Sequence, residues 1–142
     1  MVSNISEEEQ RALFIKQCSI PEKKLVCEVP VFCRSVDLVE YDKNNNMITS
    51  IEFKTNNWRR AIEQVLSTSI SFDYAEICVR RPKKSASIGR IVKECASHGI
   101  GVYFFDTENR EFEHSLKPKK IGKTWNVQKM HVIDYLEGVN CE

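Results

Sequence analysis

Residues 35–54 read SVDLVEYDKNNNMITSIEFK and predict two β-strands joined by a polar turn. Apolar and β-branched residues dominate positions 36–41 and 47–53, a composition typical of strands. The run between them, KNNN at positions 43–46, consists of residues that favour turns. The stretch therefore predicts an antiparallel hairpin.

The register of this hairpin places two acidic side chains opposite each other. If Asp42 pairs with Met47, then Asp37 faces Glu52, and Lys54 shares their face because side chains alternate along a strand. Opposed residues lie about 4.5–5.5 Å apart at Cβ, so two carboxylates there repel unless a positive charge lies between them. Mg²⁺, which proteins hold through one or two carboxylates, fits that position. The alternative is an exposed Glu52–Lys54 ion pair with an unrelated Asp37.

The order of these residues resembles a known signature. Asp37, fourteen intervening residues and the triplet EFK at positions 52–54 are similar to the D…(D/E)xK motif of the PD-(D/E)xK nuclease superfamily. The apolar context, VDLVEYD and ITSIEFK, also fits the motif. Val36 stands where the signature often has proline, at a structural position. The resemblance spans roughly residues 28–106.

The resemblance and the pattern of elements predict the same fold class. Strands and helices alternate after Met47, which implies parallel crossovers, whereas the hairpin is antiparallel, so the sheet should be mixed. The resemblance implies an α/β fold with a restriction-endonuclease-like αβββαβ core, a central mixed β-sheet flanked by helices. We expect a single domain over residues 1–142, with its core at about 6–106 and an extension carrying a helix at 107–142.

The segments around the hairpin predict the other elements. Ser6 and Glu9 form a capping-box pattern at the start of a helix that should end near Gln17. Residues 25–33 should form a strand, and Pro30 places it at an edge or bulge.

Downstream, helices and strands alternate. Asn57 should cap a helix over 58–70, a strand should follow at 73–79, and a second helix should run from Ser85 to a terminating Gly99.

The last third of the chain is less regular. The run IGVYFF at 100–105 predicts an interior strand covered on both faces. From Thr107 the pattern weakens until a final helix at about 127–137, which either packs on the core or forms a dimer contact.

Composition excludes several classes of protein. The chain has 142 residues, 42% of them hydrophobic, and a formal net charge of +1. The length favours one core, and the near-neutral charge argues against a histone-like binder while leaving room for a local basic surface. Six cysteines are present without a C-x-x-C pair, so no zinc site is predicted. With no signal peptide or long apolar segment, we expect a reduced, cytoplasmic protein without a membrane partner.

The hypothesis from these residues is metal-dependent hydrolysis of phosphodiester bonds. Asp37, Glu52 and the backbone carbonyl of Phe53 would hold Mg²⁺ or Mn²⁺, which acidifies water for attack on phosphorus. Lys54 would orient or deprotonate that water and offset charge on the phosphate.

Other residues are expected to bind the substrate. Arg34 would contact a phosphate, unless it is an ordinary surface arginine. Gln64 corresponds to a glutamine that many superfamily members carry on the helix after the E-x-K strand, so the resemblance implies a substrate contact; the alternative is a solvated side chain. The nucleic-acid backbone would lie along a first basic run, Arg80, Arg81, Lys83 and Lys84. A second basic run, 117–123, either follows the backbone as well or is a solvated loop.

We therefore expect a Mg²⁺-dependent endonuclease acting on DNA, with RNA left open as a substrate. A homodimer would let one site per chain cut both strands of a duplex. Two other classes stay open: a catalytically inactive nucleic-acid-binding protein of the same fold, and a non-enzymatic interaction domain.

Overall fold

The computed structural model describes residues 5–139 of the chain, and Cys141 lies outside this range. The helices are α1 (Glu7–Cys18), α2 (Trp58–Ser67), α3 (Ser85–His98) and α4 (Asn126–Gly138). The strands are β1 (Lys23–Val31), β2 (Arg34–Asp42), β3 (Met47–Lys54), β4 (Tyr74–Arg80), β5 (Gly101–Asp106) and β6 (Glu111–Leu116). A short 3₁₀ turn, Ser69–Ser71, follows α2.

The six strands form one mixed sheet in the order β1-β2-β3-β4-β5-β6. Neighbouring strands are antiparallel at β1–β2, β2–β3 and β5–β6, and parallel at β3–β4 and β4–β5. The fold is therefore a single-domain α/β arrangement. The expected mixed sheet, the edge position of the strand with Pro30 and the interior position of β5 are confirmed.

The hairpin has the register that the sequence predicts. Asp42 pairs with Met47 and Leu38 with Ile51, so the regular pairing reaches the residues next to Asp37 and Glu52.

Helices cover both faces of the sheet. On one face, Phe14 of α1 packs edge-on against Phe53, Tyr103 and Phe112, with ring centroids 4.9–5.5 Å apart. The opposite face is covered by α2, α3 and α4, whose buried side chains join those of the strands in two further clusters. Burial of these apolar side chains is the main source of stability.

The predicted caps are present. The Ser6 side chain accepts a hydrogen bond from the Glu9 amide, and the Glu9 side chain accepts one from the Ser6 amide. At the start of α2, the Asn57 side chain accepts a hydrogen bond from the Arg60 amide. Gly99 ends α3 at φ 72°, a left-handed conformation in which a side chain would be strained. None of the helices within residues 5–139 combines the length and apolarity that a membrane span requires.

Two details differ from the expectations. Helix α2 ends at Ser67 rather than near Ile70, because the hydroxyls of Ser67, Thr68 and Ser69 bond back to carbonyls and compete with the helix.

Strand β6 was not predicted, since its sequence EFEHSL is largely polar, as edge strands often are. Helix α4 packs on the core, but Val132, Ile133 and Leu136 make the contact, whereas Val127 and Met130 point to solvent.

Candidate functional site

Two carboxyl groups meet where β2 and β3 run side by side. The last regular pair of the β2–β3 ladder is Leu38 with Ile51. Asp37 and Glu52 are the next residues beyond this pair, one on each strand. The two carboxyl groups are close enough that the Asp37 side chain raises the pKa of Glu52, and Glu52 is only 4% exposed. Asp37 Oδ2 also accepts a hydrogen bond of 2.8 Å from the Phe53 amide. The structure therefore brings the two acids together and fixes Asp37 against the backbone of β3.

This arrangement changes the acidity of Glu52. Burial raises the pKa of the Glu52 carboxyl to about 9, and the hydrogen bond with Asp37 and its negative charge add to the effect. A hydrogen bond from the Asp37 backbone amide and the charge of Lys54 lower the pKa again, but less. Without a cation, Glu52 holds a proton at neutral pH, because its carboxyl group is buried and lies beside another acid.

Lys54 lies between this acidic pair and helix α1. Its Nζ is 3.8 Å from Glu7 Oε1, and Glu7 Oε2 accepts a hydrogen bond of 3.3 Å from the Thr55 amide. Glu7 thus orients both the lysine and the chain that leaves β3. The Lys54 side chain is 22% exposed, so it can reach a molecule bound at the surface.

Glu7 is a site residue that the sequence did not single out. Glu7, Glu8 and Glu9 all lie in the first turn of α1, where acidic residues also stabilise the helix dipole. Glu9 is occupied by the capping box, and only the packing of α1 on the sheet shows that Glu7 faces Lys54.

The acidic pair fits a hard divalent cation. Proteins usually bind Mg²⁺ through one or two carboxylates, and water and substrate oxygens fill the remaining coordination positions. The carboxylates of Asp37 and Glu52 could serve as these protein ligands. A cation bound there would compete with the proton that Glu52 retains because of its raised pKa. Within residues 5–139, no three His, Cys, Asp or Glu side chains are grouped to hold a metal, so an all-protein cage of the zinc type does not fit.

Helix α2 packs on β3 and β4 and carries Gln64. The Gln64 side-chain oxygen is buried and has no hydrogen-bond partner within residues 5–139. Such an unpaired buried acceptor is costly unless water or a ligand bonds to it. The structure gives no direct contact of Gln64 with Asp37 or Glu52.

A cleft of roughly 910 Å³ opens where β3, β4 and β5 end. Thr55, next to Lys54, belongs to its wall, but Asp37, Glu52 and Lys54 do not, so the cleft adjoins the acidic pair rather than containing it. Ligands of α/β proteins commonly bind at this edge, outside the carboxyl ends of parallel strands.

The first basic run supplies much of the positive charge of this cleft. Arg80, Arg81 and Lys83 line it, whereas Lys84 is exposed outside its wall. The Arg80 Nε atom is buried without a partner in the described part of the chain. The cleft is therefore suited to an anion that brings acceptor atoms.

The start of α3 adds to this charge. Its N-terminus has no side-chain cap and no acidic residue in its first turn, and Ser85 and Ser87 line the cleft. The free amide groups and the helix dipole favour anions at this end. Asp106 and Glu108 lie on the opposite wall and limit the positive potential there.

The other predicted binding residues lie elsewhere. Arg34 is exposed at the β1–β2 turn, about 10 Å along β2 from Asp37. The second basic run follows β6, and within it the Ile121 amide bonds to the carbonyl of Asp73, just before β4. Because Arg80 lies at the far end of β4, the two basic runs are about 20 Å apart and do not form one surface.

The comparisons with known proteins bear on the fold. The sequence matches no family model, and no curated protein matches it at a significant level. The structure is similar to that of the SPO1766 protein of unknown function from Silicibacter pomeroyi, with a TM-score of 0.65 at 15% sequence identity. The similarity covers 95% of this chain and 86% of the other. At this identity, the likeness shows that the two proteins share a fold, an α/β domain built on a six-stranded mixed sheet.

Proposed function

We propose that this protein is a metal-dependent nuclease that hydrolyses phosphodiester bonds of DNA. The observation that carries the proposal is the contact between the Asp37 and Glu52 carboxyl groups, with Lys54 beyond them on β3. A buried acid whose pKa is raised by burial and by a neighbouring acid, with a lysine nearby, is the kind of group found at functional sites.

The order of elements supports the same proposal. Helix, three antiparallel strands, helix and strand follow one another from α1 to β4, as in the αβββαβ core that the sequence resemblance implies. We therefore propose a restriction-endonuclease-like arrangement, with the acidic pair on its second and third strands.

Each residue has a role in this mechanism. Asp37, Glu52 and the Phe53 carbonyl would hold Mg²⁺ or Mn²⁺. When bound, the cation would act as a Lewis acid that lowers the pKa of water and offsets negative charge on the phosphate. The hydrogen bond from the Phe53 amide keeps the Asp37 carboxylate in place for this task.

Lys54 performs the charge chemistry near phosphorus. As an ammonium group paired with Glu7, it orients the attacking water, whose proton passes to solvent, and stabilises the charge that develops as the P–O bond to the leaving oxygen breaks. Glu7 is a positioning residue, since it touches Lys54 and the Thr55 amide rather than the reacting atoms.

The cleft beside the acidic pair would take the sugar–phosphate backbone. Arg80, Arg81 and Lys83 contact phosphates next to the cleaved one, and the start of α3 offers free amides to another. Contacts of this kind give affinity that falls with salt and depends little on sequence.

A second candidate is a nucleic-acid-binding protein that does not hydrolyse its ligand. The burial of Glu52, at 4% exposed, favours it, because a cation must displace a proton from a nearly closed site. This candidate predicts the same salt dependence without any effect of metal.

Cleavage assays separate these functions. The protein is incubated with Mg²⁺ or Mn²⁺ and linear, nicked, branched and single-stranded DNA and RNA, alongside Asp37→Asn and Glu52→Gln. Glu94→Gln, an exposed glutamate on α3, is the matched control. We expect metal-dependent cleavage by the parent and by the Glu94 variant only. Binding without cleavage supports the second candidate, and neither activity leaves a non-enzymatic interaction domain.

A further inference from the structure

A second cavity, of roughly 650 Å³, lies on the α1 face of the sheet. Glu76 on β4 and His114 on β6 belong to its wall, together with Tyr74, Tyr103 and Ile20. Ile51, the partner of Glu76 in the sheet, precedes Glu52 on β3, so Glu52 points to the other face. This cavity is therefore separate from the acidic pair.

Glu76 is a buried acid that the proposed hydrolysis does not use. It is 5% exposed, and its Oε1 lies 2.5 Å from His114 Nε2. His114 is in turn stacked on Tyr103, with ring centroids 4.0 Å apart and planes 6° from parallel. The Tyr103 ring holds the His114 imidazole in position, and the imidazole in turn holds one oxygen of Glu76.

The other oxygen of Glu76 is available to a ligand. Within residues 5–139, Glu76 Oε2 accepts no hydrogen bond, although its residue lines the cavity. Because Glu76 lines the cavity, this oxygen can accept a hydrogen bond from a ligand that brings a donor.

The neighbouring strand makes room for this carboxylate. Gly101 pairs with Glu76 in the sheet, and a Cβ at position 101 would lie 2.4 Å from Glu76 Oε1. Any other residue would displace the acid from its position. The site thus depends on a glycine, a histidine and a glutamate from three strands.

The surrounding groups select the charge of the ligand. Glu40 lines the same cavity and is bridged to Lys23 at 3.2 Å, while Asp42 bonds to Asn45. Burial raises the pKa of the Tyr103 hydroxyl, and the negative charges of Glu76 and Glu40 raise it further. Lys117 also lines the cavity, but it is exposed.

The apolar part of the wall selects the body of the ligand. Ile20, Met47 and the rings of Tyr74 and Tyr103 offer a surface for a hydrocarbon or aromatic group. Aromatic rings also attract cations through their faces. The volume is within the range of small-molecule sites in proteins.

We propose that this cavity is a binding site for a small organic cation, a primary amine or amidine attached to an apolar or aromatic body. The charged nitrogen donates to Glu76 Oε2, and the body lies against Tyr74, Tyr103 and Ile20. His114 keeps Glu76 in position and does not touch the ligand nitrogen.

Calorimetric titration with benzylamine tests the proposal, with benzyl alcohol and benzoate as uncharged and anionic probes of similar shape. The parent should bind benzylamine saturably and at least tenfold more tightly than either probe, with a shift of the His114 imidazole signals in NMR spectra. Glu76→Gln and Gly101→Ala should each weaken binding tenfold or more, whereas Glu22→Gln, an exposed acid outside the cavity, should not.

Thermal melting of every variant identifies any that fail to fold, and Glu76→Gln, which keeps the size of the side chain, is then decisive. Benzylamine binding that is absent, equal to that of benzyl alcohol, or unchanged in Glu76→Gln would overturn the proposal. Because no nucleic acid or divalent metal is present, the outcome is independent of the nuclease proposal.

Discussion

The carboxylate of Asp37 accepts a hydrogen bond of 2.8 Å from the backbone amide of Phe53, on the neighbouring strand. Phe53 lies between Glu52 and Lys54, so this bond ties Asp37 to the segment that carries the other two functional groups. It also keeps Asp37 next to Glu52.

The stability of the metal-free protein should depend on Glu52 and pH. Its pKa in the folded protein is about 9, above the ordinary value of 4.5, so the folded state binds a proton that the unfolded state releases between these values. The stabilising effect of that proton is complete below pH 4.5 and is lost as pH rises through about 9. The slope reaches about −1.4 kcal/mol per pH unit.

Urea unfolding from pH 5 to 9 in the presence of a chelator measures this slope. Glu52→Gln, which does not titrate, should flatten the profile and be more stable than the parent at pH 8. Identical profiles for the two proteins would show that Glu52 is ionised and solvated in the folded state.

Lys54 and Glu7 should affect cleavage to different degrees. Lys54→Met removes a group that stabilises charge in the transition state and should lower kcat by roughly a hundredfold or more. Glu7→Gln leaves the lysine in place but less well oriented, and should lower kcat by about tenfold with KM unchanged. Steady-state kinetics on the preferred DNA substrate gives both constants. A larger loss in Glu7→Gln than in Lys54→Met, or a change in KM alone, would contradict the assigned roles.

The basic cleft should determine how salt affects DNA binding. If Lys83 contacts a phosphate, Lys83→Gln should weaken binding for all sequences and reduce the slope of log K against log salt by about 1. Fluorescence anisotropy in a Glu52→Gln background measures binding without cleavage. Lys43→Gln, exposed at the β2–β3 turn, is the control and should keep the parent slope. Equal slopes for the two variants would place the DNA outside this cleft.

A buried ion pair should hold helix α4 on the sheet. Lys129 Nζ lies 2.9 Å from Asp73 Oδ2, and their side chains are 11% and 3% exposed. Lys129→Ala leaves the aspartate buried and unpaired, so it should lower the free energy of unfolding by about 3–5 kcal/mol. Lys123→Ala, an exposed lysine, should change it by less than about 0.5 kcal/mol. Denaturant titration compares the two, and a loss below 1 kcal/mol for Lys129→Ala would show that water reaches the pair.

The sequence predicted those parts of the fold that depend on local rules. The asparagine-rich turn fixed the hairpin register from Asp42 to Leu38, and Ser6, Asn57 and Gly99 marked helix ends through their capping chemistry. Strand β6 escaped prediction because an exposed edge strand needs few apolar residues. Val127 and Met130 are apolar yet exposed on α4, and only the packed structure shows which face of this helix is buried.

The candidate site was predictable to a similar extent. Alternation along the strands placed Asp37, Glu52 and Lys54 on one face from the sequence alone. Glu7 required the docking of α1, since three successive glutamates have the same local explanation. The separation of the two basic runs also depends on the fold, because one run lies at the start of β4 and the other at its end. Whether the site hydrolyses DNA stays a prediction.

The measurement that tests the central claim most directly is anomalous scattering from crystals soaked in Mn²⁺, collected for the parent and for Glu52→Gln. We predict one strong peak in the parent, between the carboxyl groups of Asp37 and Glu52 and within coordination distance of the Phe53 carbonyl, and its loss in the variant. A parent crystal with no Mn²⁺ between these two acids at millimolar concentration would contradict the account.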